Sequence, residues 1–179
     1  INKQSVFSNM DLIVKKEADY YIACAGEALE LLDSYNYKAL SKVAEKEGVF
    51  CHNFIKGDTL RKTEKGIFVT SFSRCALDIS AIDLGHYIRR FLKEQNASAQ
   101  TVAKILEAYS AIKPLSKDEC GIIYAQLCFP YKFFKLVNTH YNKRRAYVSD
   151  SIVERFRECA ENKTLLSQKT SELKAILVF

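Results

Sequence analysis

Residues able to carry acid–base or metal chemistry are concentrated between residues 50 and 90. The segment FCHNFIKGDTL contains His52 and Asp58, and the segment FVTSFSRCALDISAIDLGHYIRR contains Asp78 and Asp83. Histidine and carboxylate side chains are common general acids and bases, and carboxylate oxygens bind hard cations such as magnesium. The residue types are therefore those of acid–base or magnesium-dependent chemistry, provided that the fold brings them together.

Hydrophobic periodicity predicts that helices position these residues. Apolar residues recur at intervals of seven and four from Ile13 to Tyr35, which predicts one amphipathic helix over about residues 11–35. A second helix is predicted over 37–47, with Gly48 as its C-terminal cap. The later helices are predicted over 81–95, over 102–112, from the Ser116/Glu119 capping box to about 129, after Pro130, and from a Ser151/Glu154 capping box through Val153, Phe156, Leu165 and Leu166.

Only two runs have the composition of strands. VFC at 49–51 and IFVTSF at 67–72 are rich in β-branched and aromatic residues, and Lys65-Gly66 would form the turn before the second run. The sequence therefore predicts a mainly α fold with a small β-hairpin, in which residues 49–72 form a loop-strand region packed against the helices.

The loop at His52 resembles the catalytic loop of the aminoglycoside-phosphotransferase and choline-kinase-like group. In that group the loop reads His-x-Asp-x-x-x-x-Asn, and the next strand ends in Asp-Phe-Asp. The resemblance implies that the loop aspartate would accept the proton of the attacking hydroxyl, while the asparagine and the strand aspartate would hold magnesium. Here His52 is kept, but Ser71-Phe72-Ser73 occupies the strand motif.

Two placements of the loop motif are open. Without a gap, Phe54 takes the position of the base and Thr59 that of the asparagine. With one residue deleted after His52, Asn53 takes the base position and Asp58 the metal position. Neither placement supplies a general base, whose loss typically lowers a rate by about 10²–10⁴. Ser71 would be a vestigial metal position, because its neutral hydroxyl replaces a carboxylate.

The resemblance extends along most of the chain. DLGHYIRRFL is similar to an Asp-Leu-x-x-Phe-x-Arg-Arg/Lys helix, and the region from ILEAYSAIKPL to HYNKRRAYV is similar to a helical tail with a Pro-x-Lys-Phe-x-Lys pattern. This tail is typical of CotS-type spore coat proteins of the kinase-like superfamily. The resemblance implies the fold of a kinase-like C-terminal lobe over residues 1–179, without the N-terminal nucleotide lobe and its phosphate-binding lysine. It also implies structural bracing of the loop by His52 and Asp83.

The leading functional expectation is a non-catalytic, kinase-like structural or interaction protein of the bacterial spore coat, with no intact catalytic residue, no metal and no cofactor. The alternative is a small-molecule phosphotransferase, active only in a full-length parent, that uses Asp58 with Asp78 or Asp83. The expected partners are other coat proteins or the protein's own N-terminal lobe, with self-association through exposed apolar residues in SVF at 5–7 and at Ile67 and Phe68. The expected location is the cytoplasm during synthesis and then the spore coat.

Composition argues against several other classes. The six cysteines form no C-x-x-C pair, which disfavours a metal site and is typical of reduced cysteines in a cytosolic protein. The net charge of +6 is spread along the chain without a nucleic-acid-binding motif, so nucleic acid is not the expected partner. The sequence has no apolar run long enough to span a membrane and no signal-peptide pattern at its start.

Overall fold

The computed structural model describes residues 8–55, 57–94, 98–142 and 150–177. Eight helices and four short strands lie in these ranges. The helices are α1 (Asn9–Ser34), α2 (Tyr37–Glu47), α3 (Ala81–Glu94), α4 (Ala99–Ser110), α5 (Lys117–Cys128), α6 (Tyr131–Asn142), α7 (Asp150–Glu161) and α8 (Lys163–Leu177). The strands are β1 (Phe50–Cys51), β2 (Leu60–Thr63), β3 (Gly66–Val69) and β4 (Ala76–Leu77), and a single 3₁₀ turn covers Phe72–Arg74.

The ends of the helices follow from local capping chemistry. Ser8 and Asp11 form a capping box at the start of α1, and Ser116 and Glu119 form the predicted one at the start of α5. Gly48 ends α2 in the left-handed conformation, with φ of 72°, which costs glycine little because it has no Cβ. These local signals fix where α2 stops and the chain turns toward the loop at His52.

Helix α5 is the centre of the molecule and packs against α1, α3 and α8. Its residues Ile122 and Ile123 are fully buried in the main apolar core, together with Ile88 of α3 and Leu173 of α8. A second core joins α1 to α6 and α7 through Tyr21, Phe133 and Phe156. Because α3 is held in the main core along its length, it provides a rigid support for whatever lies on its outer face.

The strands form two separate antiparallel pairs, and the two runs predicted as strands, 49–51 and 67–72, lie in different pairs. β1 pairs with β4, so Phe50 lies opposite Leu77, and β2 pairs with β3 as a hairpin, so Leu60 lies opposite Val69. The hairpin turns at Glu64-Lys65, one residue before the predicted Lys65-Gly66, and Gly66 opens β3 opposite Thr63. Its first strand, LRKT, was missed because its charged residues do not alternate with apolar ones.

The C-terminal region differs from the prediction in a second way. The single helix predicted from Ser151 is two helices, α7 and α8, which are separated at Asn162. Ser151 lies inside α7, which already begins at Asp150, so Ser151 is not the residue that caps it. Within the described ranges, six helices therefore follow the strands, one more than the five predicted.

Candidate functional site

The imidazole of His52 is held by two backbone groups. β1 leads directly into His52, which is buried, and the Phe54 N–H donates to its Nδ1 at 3.2 Å. Because Nδ1 accepts, the ring proton is on Nε2, which donates to the Thr70 carbonyl at 2.8 Å. One ring nitrogen thus holds the loop itself, and the other joins the loop to Thr70, directly after β3.

The carboxylate of Asp83, in the first turn of α3, holds the backbone of the same loop. Its two oxygens accept from the amides of His52 and Asn53, each at 2.6 Å. Asn53 has a φ of 57°, a conformation that residues other than glycine rarely adopt without support from their surroundings. The structure therefore brings His52 and Asp83 together, but through the backbone amide of His52 and not through its ring.

The residues of the two loop placements lie in different environments. The Thr59 hydroxyl is buried and donates to the Phe54 carbonyl at 3.3 Å, while Asp58 is exposed. Phe54 lies beside two guanidinium groups, with the Arg74 and Arg90 Cζ atoms at 4.2 and 5.2 Å from its ring centroid. In either placement the group at the base position is a phenyl ring or a neutral amide, neither of which accepts a proton at neutral pH.

Ser71 follows β3 and precedes the 3₁₀ turn. It is exposed and has a φ of 68°, so its backbone is in the left-handed region, which is disfavoured for a residue with a Cβ. Its side chain offers one neutral hydroxyl, whereas magnesium favours carboxylate oxygens. Among the residues that the structure describes, no group of three or more His, Cys, Asp or Glu side chains is placed to hold a metal ion.

Asp78, the other carboxylate of the catalytic alternative, is held at the end of β4. Its Oδ2 accepts from the Tyr37 hydroxyl and its Oδ1 from the Ile79 amide, both at 2.8 Å. Cys51 lies next to it and donates to the Asp78 carbonyl at 3.1 Å. Burial, with a smaller effect of the charges of Asp83 and Asp78, raises the pKa of Cys51 to about 11, so this thiol is protonated and unreactive at neutral pH.

An exposed apolar cluster lies beside the loop, where the sheet formed by β1 and β4 meets the 3₁₀ turn. It consists of Phe50, Phe72 and Leu77, which are 58%, 54% and 48% exposed. The rings of Phe50 and Phe72 are 6.4 Å apart, and Phe72 also contacts the His52 ring edge-on at 5.2 Å. The predicted exposed residues Ile67 and Phe68 are also solvent-accessible on the hairpin, whereas residues 5–7 lie outside the described ranges.

Sequence reasoning missed Arg74 and Arg90 as members of this site. The two residues are 20 and 36 positions from Phe54 and belong to the 3₁₀ turn and α3. The pattern of the sequence carries no signal that joins them, since their meeting depends on how α3 packs under the loop. The exposed apolar cluster was also only partly anticipated, because Phe50 and Leu77 were not recognised as partners in one sheet.

The fold is that of a kinase-like phosphotransferase. A crystal structure of an aminoglycoside phosphotransferase from Alicyclobacillus acidocaldarius superposes with a TM-score of 0.77 at 19% identity, covering 98% of this chain and 51% of that one. The match confirms the predicted fold class.

A family model described as "Spore coat putative kinase YutH" matches residues 2–173, and the chain belongs to that family. Spore coat protein S of Bacillus subtilis (strain 168) is 25% identical over 136 residues, which cover 75% of this chain and 39% of that protein. The chain thus spans about half or less of the length of these two proteins. The predicted membership among kinase-like spore coat proteins is confirmed, and with it the predicted association with the spore coat. None of the described helices has the length and apolar character needed to span a membrane.

Proposed function

We propose that this protein is a non-catalytic, kinase-like structural or interaction component of the spore coat. The observation that carries the proposal is that Phe54 or Asn53 takes the base position of the loop, and neither side chain accepts a proton, while the polar groups beside it are used to hold the loop. Both nitrogens of His52 and both oxygens of Asp83 are engaged in hydrogen bonds that hold the loop backbone. A buried polar group that loses its partner costs about 1–3 kcal/mol, so these bonds are retained for stability whether or not a reaction takes place.

We expect neither the chain nor any longer protein that contains it to gain thermal stability from ATP in a magnesium-dependent manner, or to hydrolyse ATP above background. The reason is that no residue in the loop supplies the general base and Ser71 lacks the charge to hold the metal. The measurements are a thermal-shift assay and phosphate release, with the Alicyclobacillus aminoglycoside phosphotransferase as the active control. Magnesium-dependent stabilisation by ATP would contradict the proposal and favour the phosphotransferase alternative.

The double variant Asn53→Asp/Ser71→Asp provides a stricter test. It restores two carboxylates, yet we expect no ATP turnover from the 179-residue chain, because a nucleotide lobe with its phosphate-binding lysine is also needed. Phosphate release by the double variant is compared with that of the unmodified chain. Circular dichroism checks that the variant is folded. Turnover by the double variant would show that the C-terminal half alone can bind and position the nucleotide.

We further propose that the exposed apolar cluster is an interaction surface, covered by an N-terminal lobe or by another coat protein, and that the chain self-associates through it when neither is present. Clustered exposed aromatic and aliphatic side chains favour association, because contact removes their surface from water. Phe72→Lys places a charge within this cluster and should abolish concentration-dependent sedimentation. Ile112→Lys is the matched control, since Ile112 is 90% exposed in the turn after α4, and it should leave association unchanged.

Two results would contradict the proposal that this cluster is an interaction surface. One is a strictly monomeric chain up to high micromolar concentration that gains no stability from a separately prepared N-terminal lobe. The other is equal loss of association in both variants, which would place the contact elsewhere.

A further inference from the structure

The strands β2 and β3 form a two-stranded sheet, so each strand has one free edge. The Thr70 N–H donates to the Thr59 carbonyl at 2.9 Å, in the register of the β2–β3 ladder. Because antiparallel pairs alternate between hydrogen-bonded and non-hydrogen-bonded, the backbone groups of Phe68 face β2, while those of Ile67 and Val69 face away from it. No residue that the structure describes forms a hydrogen bond with these outward N–H and C=O groups.

The two free edges of the hairpin differ in how they are protected against a further strand. β2 carries Arg61 and Lys62, and charged residues, lysine above all, are a common means of blocking strand addition. β3 has no charged residue, and its Ile67, Phe68 and Val69 are 71%, 49% and 39% exposed. An exposed apolar edge of this kind is a template for an additional strand, so strand addition is favoured at β3.

The charge of the hairpin indicates which kind of strand fits this edge. Its charged side chains are three bases and one acid, all of them exposed: Arg61, Lys62, Lys65 and Glu64. None of the three bases forms an ion pair with a carboxylate of the described ranges. A second copy of the chain would bring the same positive charge to the edge and be repelled, whereas a strand that carries carboxylates would be attracted. Charge complementarity therefore favours an acidic segment of another protein over pairing between two copies of β3.

We propose that the free edge of β3 binds an extended, acidic segment of another protein as an added strand. The outward N–H and C=O groups of Ile67 and Val69 pair with the backbone of that segment. The two side chains lie on one face of the hairpin, where they contact alternate apolar residues of the segment. Basic side chains at Arg61, Lys62 and Lys65 attract the carboxylates at its other positions. Strand addition requires neither the loss of catalysis nor the exposed apolar cluster, so it can fail while both of those proposals hold.

The test measures binding of a labelled octapeptide of alternating valine and glutamate to the 179-residue chain by fluorescence anisotropy. We expect saturable binding of one peptide per chain that weakens as salt is added, because salt screens the attraction between exposed charges. The same peptide, N-methylated at two adjacent central residues, keeps its side chains and charge but loses a donor on each edge. It should bind about tenfold or more weakly, because backbone pairing is interrupted. A valine–lysine octapeptide should not bind, since its charge has the same sign as that of the hairpin.

Two pairs of variants identify the edge that the peptide uses. Val69→Pro removes an outward N–H of β3 and leaves the ladder bonds in place. It should bind the valine–glutamate peptide about tenfold or more weakly than Val69→Thr, which keeps that N–H. Lys62→Pro removes an outward N–H of β2, and it should bind like Lys62→Gln, which loses the same charge. If Val69→Pro loses the hairpin itself, the N-methylated peptide still tests backbone pairing on the unmodified chain.

Absence of saturable binding by the unmodified chain overturns the proposal, and so does equal binding of the N-methylated peptide, since binding would then report charge alone. Two further results would assign the edge to a different occupant and also overturn it. Displacement of the peptide by a separately prepared N-terminal lobe would make that lobe the occupant. Loss of self-association in Val69→Pro but not in Val69→Thr, measured by sedimentation, would make a second copy of the chain the occupant.

Discussion

Replacing Asp83 by alanine is expected to lower the free energy of unfolding by about 2–5 kcal/mol, because the amides of His52 and Asn53 would each lose their acceptor. Both bonds are short and charge-assisted, which places them among the stronger hydrogen bonds in proteins. The loss should appear as a lower midpoint in urea with a similar slope.

The control for this variant is Asp33→Ala. Asp33 forms an exposed ion pair with Lys38 at 2.8 Å, and exposed pairs contribute about 0–1 kcal/mol. A loss of less than about 1 kcal/mol in Asp83→Ala, equal to that of the control, would show that the carboxylate does not hold the loop.

A second large effect is expected from Gly121→Ala in α5. A Cβ atom at this position would overlap three ring atoms of Tyr35, so the ring at the end of α1 must move. Overpacking of this kind costs about 1–3 kcal/mol. All three contacting atoms belong to the rigid ring of Tyr35, so a small rotation at the end of the side chain cannot relieve the overlap. Chemical denaturation measures the loss.

Gly26→Ala in α1 is the matched control for this substitution. A Cβ at Gly26 meets no atom within 4 Å, so alanine should stabilise the protein by about 0.5–1 kcal/mol through its higher helix propensity. A gain in stability from both substitutions would contradict the close approach of Tyr35 to α5.

Much of the helical part of the fold was predictable because local chemistry determines it. The predicted helix over 37–47 coincides with α2, and the predicted Ser116 box opens α5. The start of α1 was placed two residues late, because the Ser8 box uses aspartate at the position where glutamate is more usual. The break at Asn162 was missed because the apolar periodicity continues through it.

The strands and the site were harder to predict because they depend on contacts between distant residues. β1 pairs with Ala76-Leu77, a dipeptide too short to give a periodic signal. The sequence identified His52 and Asp83 only through a resemblance. It could not indicate that the Asp83 carboxylate accepts from the amides of His52 and Asn53, which are 31 and 30 positions away. That no metal or nucleotide binds at the vestigial metal position Ser71 stays a prediction.

The polar side chains along α1 have a consequence for the order in which the protein folds. Tyr21 donates to the Cys159 carbonyl, Tyr141 donates to Asp11, and Lys163 pairs with the buried Glu17, across separations of 138, 130 and 146 residues. A ribosome making this chain at about 5–20 residues per second releases α1 several seconds or more before α7 and α8 exist. During that interval Glu17 and Tyr21 must remain hydrated, so α1 cannot settle into its final place and its apolar stripe is available to chaperones. Completion of the fold therefore waits until α7 and α8 have been made and can close over the segment that was made first.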